Sequence, residues 1–345
     1  MTAPSPIDRL ADAAFAAAIR AEWTQRAIRA SLRPGSISRR DRIPKLLALP
    51  NVRGWAFDEL SQERAQHMQA TWSTDLQYVN ENPSIDPSRY DLMFNPNWAY
   101  SVYDAMFHGR YVRGINSHKW QRTSCPYRLL RQCLRGAIAC FVPNRVQFDL
   151  IRRVFPATFL VKEGIDTTTF KWLHDRTGND LVVGWSGNKT NKMKRLDNVI
   201  RPACAKAGVE LRIPDAPTRE DLNRFYNDVD LILIASEPLY EGNPLSLFEA
   251  GACGRAVLAT NVGCVSETVE DKGTGFVVES TFDVDGTVQA FVECLCWCKE
   301  HVAEVRAMGK RHRERVLAER TSEKTCETFR QAIEWAYSHV VSDGL

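Results

Sequence analysis

Two carboxylates eight positions apart, Glu241 and Glu249, flank a turn in the string EGNPLSLFE. Asn243 is a favoured helix N-cap and Pro244 a favoured first helical residue, so a helix is expected to begin there. A start built from Gly242, Asn243, Pro244 and Leu245 would aim backbone N–H groups and the positive end of the helix dipole at whatever precedes it. That suits a phosphate or a sugar hydroxyl. Glu241, just outside the start, could accept hydrogen bonds from hydroxyls. Glu249 falls among Leu245, Leu247, Phe248, Ala250, Gly251 and Ala252. A carboxylate in that company is costly to bury unpaired and wants partners such as two ribose hydroxyls. The plainer alternative is a glutamate pointing to solvent.

A second cluster has the complementary charge. Lys189, Lys192, Lys194 and Arg195 follow the apolar run 181–185 in SGNKTNKMKRLDNVI. A polar loop carrying Gly187 and Asn188, opening into a helix near Arg195, is suited to a diphosphate. The alternative is a set of lysines on a solvated loop.

The elements that must position these groups alternate along the chain. Helix is expected over 7–32, then a Pro-Gly-Ser break. PKLLAL reads as a buried parallel strand, followed by a turn at Gly54 and a helix over 56–72. Further strands are expected at 75–79, 90–95, 110–116, 136–144, 181–185, 209–213 and 230–235, with helices at 127–134, 145–155, 219–227, 286–318 and 322–340. This is an α/β chain of Rossmann-like units. Ligands of open α/β sheets gather at the carboxyl ends of strands, which places Asn97 and His118 where function belongs. His118 is a candidate catalytic group or a loop cap; Arg113 and Lys119 nearby would lower its pKa if close.

Composition bounds the rest. The 345 residues are 44% hydrophobic and 25% charged, as in a soluble globular protein of two ordinary domains. No run is long enough to span a membrane, and the N-terminus has no basic leader, so no signal peptide is expected. Ten cysteines without framework spacing point to a reduced, cytoplasmic protein. Cys294, Cys296 and Cys298 lie in an expected helix and so point in different directions, which argues against one metal site. Net charge is only +3, but residues 105–148 hold no Asp or Glu and eight Lys or Arg, namely Arg110, Arg113, Lys119, Arg122, Arg128, Arg131, Arg135 and Arg145. Residues 1–53 are basic as well. Such segments suit an anionic partner, a membrane lipid or a nucleic acid, or serve only solubility. Two Asp-Val-Asp strings, 228–230 and 283–285, look like metal motifs; the first precedes an apolar strand and reads as structural.

The segment EGNPLSLFEAGACGRAVLATNVGCVSETVEDKGTGFVV resembles the donor-binding signature of the GT-B glycosyltransferases, in particular the retaining family called GT4. Glu241, Glu249, Gly254, Val257, Ala259, Thr260, Gly263, Glu267, Val269, Thr274 and Gly275 keep its register. Ala256 replaces the usual Pro and Cys264 the second Gly. FLVKEGIDTTTF resembles the segment that closes the family's first domain, with Glu163 in place of Asn. Trp185 stands where the family has an Arg.

The resemblance implies two Rossmann-like domains facing a central cleft. A helical basic extension would occupy 1–40, an acceptor domain 41–170, a nucleotide-sugar donor domain 171–320, and a helix bracing the first domain 321–345. It implies metal-independent transfer of a hexose from a nucleoside diphosphate sugar, expected to be a UDP-sugar, with retention and no cofactor. Lys194 would hold the diphosphate, with Lys189 or Arg195 as stand-ins for the missing Arg. Glu241 would hold sugar hydroxyls, Glu249 the ribose, and His118 would orient the sugar or acceptor. Gly54 would lie on the first loop, which faces phosphates and acceptor. The expected acceptor is a lipid-linked or cell-envelope glycan, reached in the cytoplasm or from the inner face of a membrane. Rivals are a modified base in viral DNA and a non-catalytic module that only binds sugar nucleotides.

Overall fold

The computed structural model describes residues 6–32, 42–97, 101–215 and 218–340. The expected break at 33–40 lies outside them. Two compact units form, one from 1–162 with 325–345, the other from 163–324. The division falls at 162/163, earlier than the boundary at 170/171 expected above. Ile165 and Phe170 are the reason, since both are buried in the core of the second unit.

The strands of the first unit are β1 (Lys45–Ala48), β2 (Ser73–Leu76), β3 (Leu92–Asn95), β4 (Tyr111–Gly114), β5 (Ala139–Val142) and β6 (Thr158–Leu160). They make one parallel sheet ordered β2-β1-β3-β4-β5-β6. Its helices are α1 (Pro6–Leu32), α2 (Ala56–Met68), α3 (Val102–Met106), α4 (Pro126–Leu134) and α5 (Arg145–Ile151). The inner strands are covered on both faces, so β1, β3 and β5 read as largely apolar runs, while the edge strand β2, STDL, is only partly buried. Leu47, Met93, Tyr111 and Cys140 face one core. Leu46, Leu92, Val112 and Phe141 face the other, as the strand's period of two requires.

In the second unit β7 (Val182–Gly184), β8 (Glu210–Arg212), β9 (Leu231–Ile234), β10 (Ala256–Thr260) and β11 (Gly275–Val278) form a parallel sheet ordered β11-β10-β9-β7-β8. Around it pack α6 (Arg201–Ala207), α7 (Arg219–Asn227), α8 (Leu245–Ala252), α9 (Val265–Thr268), α10 (Val284–Glu300) and α11 (Val302–Glu319). The single helix expected over 286–318 is two, broken at His301. Cys298 is buried on α10 while Cys296 is exposed, so the cysteine triplet points apart. Of the first Asp-Val-Asp string, Asp230 is buried and paired with Arg176 at 3.1 Å and Arg306 at 2.8 Å. Asp283 of the second caps α10 through Gly286 N–H.

The last helix, α12 (Ser322–Ser338), crosses the division of the chain. Its Phe329, Ile333 and Ala336 fill one core of the first unit, with Phe329 5.0 Å from the Phe94 ring and 5.6 Å from Phe141.

Two buried histidines make the fold acid-sensitive. Burial pushes His118 down to about 4, and His312, whose Nδ1 lies 2.9 Å from the Arg255 carbonyl, down to about 4 as well. An ordinary unfolded histidine titrates near 6.5, so the unfolded chain binds more protons between those values. Stability from these groups is present above about pH 6.5 and is lost as pH falls through about 4, by about 3 kcal/mol each. Urea midpoints measured from pH 7 to 4 should fall across that window. A His312→Gln variant should show a shallower fall.

Candidate functional site

The second sheet reverses its strand order between β7 and β9, the place where open α/β sheets bind ligands beyond the strands' carboxyl ends. The loops that leave those two strands carry the two clusters singled out in the sequence. They are stitched together by Glu237 N–H on the Met193 carbonyl at 3.0 Å and Asn191 Nδ2 on Tyr240 Oη at 2.5 Å. At their meeting point Lys194 Nζ lies 2.5 Å from Glu241 Oε1. Ser236 Oγ donates to the same carboxylate oxygen at 3.0 Å. Burial disfavours the Lys194 ammonium, but Glu241 outweighs it and holds the pKa above the ordinary value. Lys194 therefore stays cationic throughout the neutral range, with N–H donors beyond the one given to Glu241.

The surrounding motif residues have geometric reasons. Thr260 Oγ1, ending β10, donates to the Ser236 carbonyl at 2.8 Å. Gly263 has φ +54, and a Cβ there would come within 2.2 Å of the Gly242 carbonyl oxygen, so only glycine lets the 241–244 turn pass. Gly251 lets α11 approach α8, since a Cβ would meet Val316 at 2.5 Å.

Several expectations are corrected. Asn243 does not cap α8. Its Nδ2 donates to Glu163 Oε2 at 2.7 Å, and Pro244 takes the cap position before the first helical residue, Leu245. Arg195 is buried, with φ +55 and Nε 4.0 Å from Glu237, and closes the loop from within instead of standing on its surface. Behind it the helix opens with a π turn, Leu196–Ile200, in which Ile200 N–H reaches the Arg195 carbonyl at 3.1 Å. Lys189 is exposed and pairs with Asp215 at 3.0 Å. Asn188 folds its side chain onto Thr190 N–H and hydroxyl at 2.9 and 2.8 Å. Trp185 is buried, and its ring would lie 2.5 Å from a Cβ on Gly187, so the glycine is set by the tryptophan.

Glu249 is half-buried one helix turn into α8. Its Oε2 accepts a short hydrogen bond from the Tyr226 hydroxyl, which also meets Ser186 Oγ at 2.7 Å. One carboxylate oxygen is thus held by protein, where two ribose hydroxyls were expected. Tyr226 is fully buried on α7; burial, then the Glu249 charge, push its pKa well above the ordinary value, so it stays a neutral donor. Tyr226→Phe should lower the stability of the second unit by about 1.5–3 kcal/mol, the contribution of a hydrogen bond to a charged group, and thermal or urea unfolding checks it. Ser186, Tyr226 and Ser236 were missed from sequence. The two serines follow β7 and β9 closely and could have been found by that position; Tyr226 carries no sequence signal.

In the first unit the strand order reverses between β1 and β3, and Gly54 and Asn97 lie on the loops that leave them. Asn97 Nδ2 donates to the Leu49 carbonyl at 2.9 Å, tying the loops together. Gly54 is exposed with φ +68, its N–H on Asp58 Oδ2 at 2.7 Å. His118, just beyond β4, is buried, with Nδ1 2.9 Å from Gln121 Nε2 and Nε2 3.2 Å from Asn144 Nδ2. Its pKa is lowered by burial, not by Arg113, which is turned into the core and paired with Asp104 at 2.7 Å. The basic segment is likewise not one solvated face: Arg110 donates to the Tyr90 carbonyl, and Arg131 pairs with Glu22. No helix among the described residues is long and apolar enough to cross a membrane.

Residues 173–296 match the Glycosyl transferases group 1 family. The D-inositol 3-phosphate glycosyltransferase of Rhodococcus erythropolis is 32% identical over 155 residues, 44% of this chain and 33% of that protein. Its Rhodococcus opacus counterpart is 31% identical over 170 residues, 47% of this chain and 36% of that one. The chain thus matches about a third of the length of these curated relatives. Sucrose-phosphate synthase from Thermosynechococcus elongatus superposes with a TM-score of 0.67 at 16% identity, over 85% of this chain and 98% of that one. Anabaena HepE, in complex with UDP and glucose, gives 0.65 at 13% identity, over 85% and 100%. Residues 173–296 are therefore similar to the Glycosyl transferases group 1 family, and the chain carries the two-sheet fold of the GT-B glycosyltransferases.

Proposed function

We propose that this protein is a retaining, metal-independent hexosyltransferase of the GT4 type, using a UDP-sugar and no cofactor. The Lys194–Glu241 pair at the β7/β9 switch carries the reading. Cleaving the donor puts negative charge on the leaving diphosphate. Lys194 offers a fixed cation for it, and the start of α8 adds backbone dipoles. Glu241, steadied by Ser236, takes sugar hydroxyls; Glu249, steadied by Tyr226, takes ribose hydroxyls. The leaving phosphate itself takes the acceptor proton, so no protein nucleophile is required. His118 is neutral at working pH and serves here by fixing the loop beyond β4. UDP and glucose bound in the similarly folded HepE support uridine as the base.

The acceptor is a lipid-linked or cell-envelope glycan. Trp55 is 56% exposed on the loop after β1 and Val102 is 67% exposed after β3, which gives the carboxyl end of the first sheet an apolar surface for such a molecule. The site of action is then cytoplasmic, at the inner face of a membrane.

The test is slow hydrolysis of UDP-, GDP- and ADP-sugars in EDTA by the wild type and Glu249→Ala. Hydrolysis of one donor, lost in the variant, supports the reading. Turnover that appears only after a divalent cation is restored overturns metal independence. Absence of donor binding by calorimetry overturns the enzyme reading.

A further inference from the structure

We infer that the first unit carries a second anion site, a phosphate-binding cavity between α1 and α4, separate from the donor loops. The cavity has a volume of about 640 Å³ and is lined by Arg128, Arg131, Arg135, His108, Glu22 and Gly136, among others. That volume is in the range of small-molecule sites. Arg128 and Arg131 are three apart on one face of α4, and Arg135 follows directly as its C-cap residue. Arg131 is held by Glu22, its Nε donating to Glu22 Oε1 at 3.0 Å. Arg128 and Arg135 are exposed, and neither guanidinium has a side-chain partner among the described residues. Set against one carboxylate, three guanidiniums leave the cavity net positive, and their planar forks match phosphate oxygens in pairs.

The neighbouring backbone does not oppose an anion. The carbonyls at the end of α4 are already taken: Cys133 accepts from Arg113 Nε at 3.0 Å and Arg135 from the Tyr111 hydroxyl at 2.7 Å. The cavity is also held in shape. Asp12 of α1 accepts from Tyr127 N–H in the first turn of α4 at 2.5 Å. His108 packs on Gly136, where a Cβ would come within 2.5 Å of its ring.

Location separates this site from the sugar chemistry. His108 and Gly136 directly precede β4 and β5, so the cavity lies toward the amino ends of parallel strands. Gly54, Asn97 and His118 follow the carboxyl ends. A ligand in this cavity is therefore not the reacting part of an acceptor. It is a phosphate-bearing group bound elsewhere on the unit, either a soluble phosphorylated molecule or the headgroup of an anionic lipid.

The experiment is calorimetric titration of the full chain with inorganic pyrophosphate, for the wild type, Arg128→Ala/Arg135→Ala and Lys194→Ala. The double variant should lose one binding event, or bind at least tenfold more weakly there, while Lys194→Ala keeps it. Circular dichroism and melting temperature check that the double variant is folded. An Arg128→Lys/Arg135→Lys variant, which keeps charge without the planar fork, should bind more weakly than wild type and more tightly than the alanine pair. Pyrophosphate binding that depends only on Lys194 overturns the inference, as does binding unchanged in the alanine pair. Sedimentation with vesicles of phosphatidylglycerol and phosphatidylcholine identifies the source. Retention lost in the double variant and displaced by pyrophosphate assigns the site to lipid headgroups; pyrophosphate binding without retention assigns it to a soluble phosphate.

Discussion

Lys194→Ala is expected to lower turnover of the donor about a thousandfold, the scale on which a positioned charge stabiliser is lost. Of the loop cations, Lys189 is exposed and committed to Asp215, and Arg195 is buried with Glu237. Lys194 alone among these three stands beside Glu241 at the strand switch. On the proposed mechanism, its removal takes away the cation and leaves the Glu241 carboxylate to repel the departing diphosphate. Because the charge grows during bond cleavage, the effect should fall mainly on kcat. Steady-state kinetics on the hydrolysed donor decides the matter. A raised KM with kcat preserved would reduce Lys194 to a binding residue. The raised pKa adds a second signature: no loss of activity on the alkaline side below about pH 10 should trace to this lysine.

Arg113→Ala is expected to destabilise the first unit by about 3–5 kcal/mol, as breaking a buried ion pair does. Arg113 and Asp104 are both fully buried. Asp104 also accepts from Asn95 Nδ2 at 2.9 Å and from the Ser101 hydroxyl at 2.9 Å, so it stays in place and unneutralised when the arginine goes. Asp104→Ala should cost a similar amount. The double variant should cost clearly less than the sum, because neither charge is then left alone. Urea unfolding of the four proteins measures the cycle. Additive losses would show that the two side chains act separately.

The same residue marks a limit of sequence reasoning. Arg113 reads as one more cation in a basic segment, and Asp104 lies just before that segment begins. Only the fold of α3 against β4 turns the pair inward. The strands and the two loops at the second sheet's switch were legible because each is local: an apolar run, a glycine, a set of cations, a fixed spacing of carboxylates. Glu241 and Lys194 could each be nominated for that reason, but their ion pair shows only in the fold. Asn243 was misread because its cap propensity is local while its partner, Glu163, is 80 positions away. Tyr226 was invisible for the same reason, since it reaches Glu249 only through the packing of α7 against α8. The π turn at Leu196–Ile200 leaves no periodic signature in so short a stretch.

The second unit is a continuous stretch, whereas the first needs α12 to close one of its cores. On the ribosome this sets an order of completion. Residues 163–324 can collapse as soon as they have emerged, because every strand of their sheet is then present. The core of the sheet made earlier lacks Phe329 and Ile333, which pack with Phe94 and Phe141, until α12 is synthesised. Domains usually finish from the N-terminus onward. Here the unit begun first is finished last, because α12 is translated after the strands and helices of the second unit.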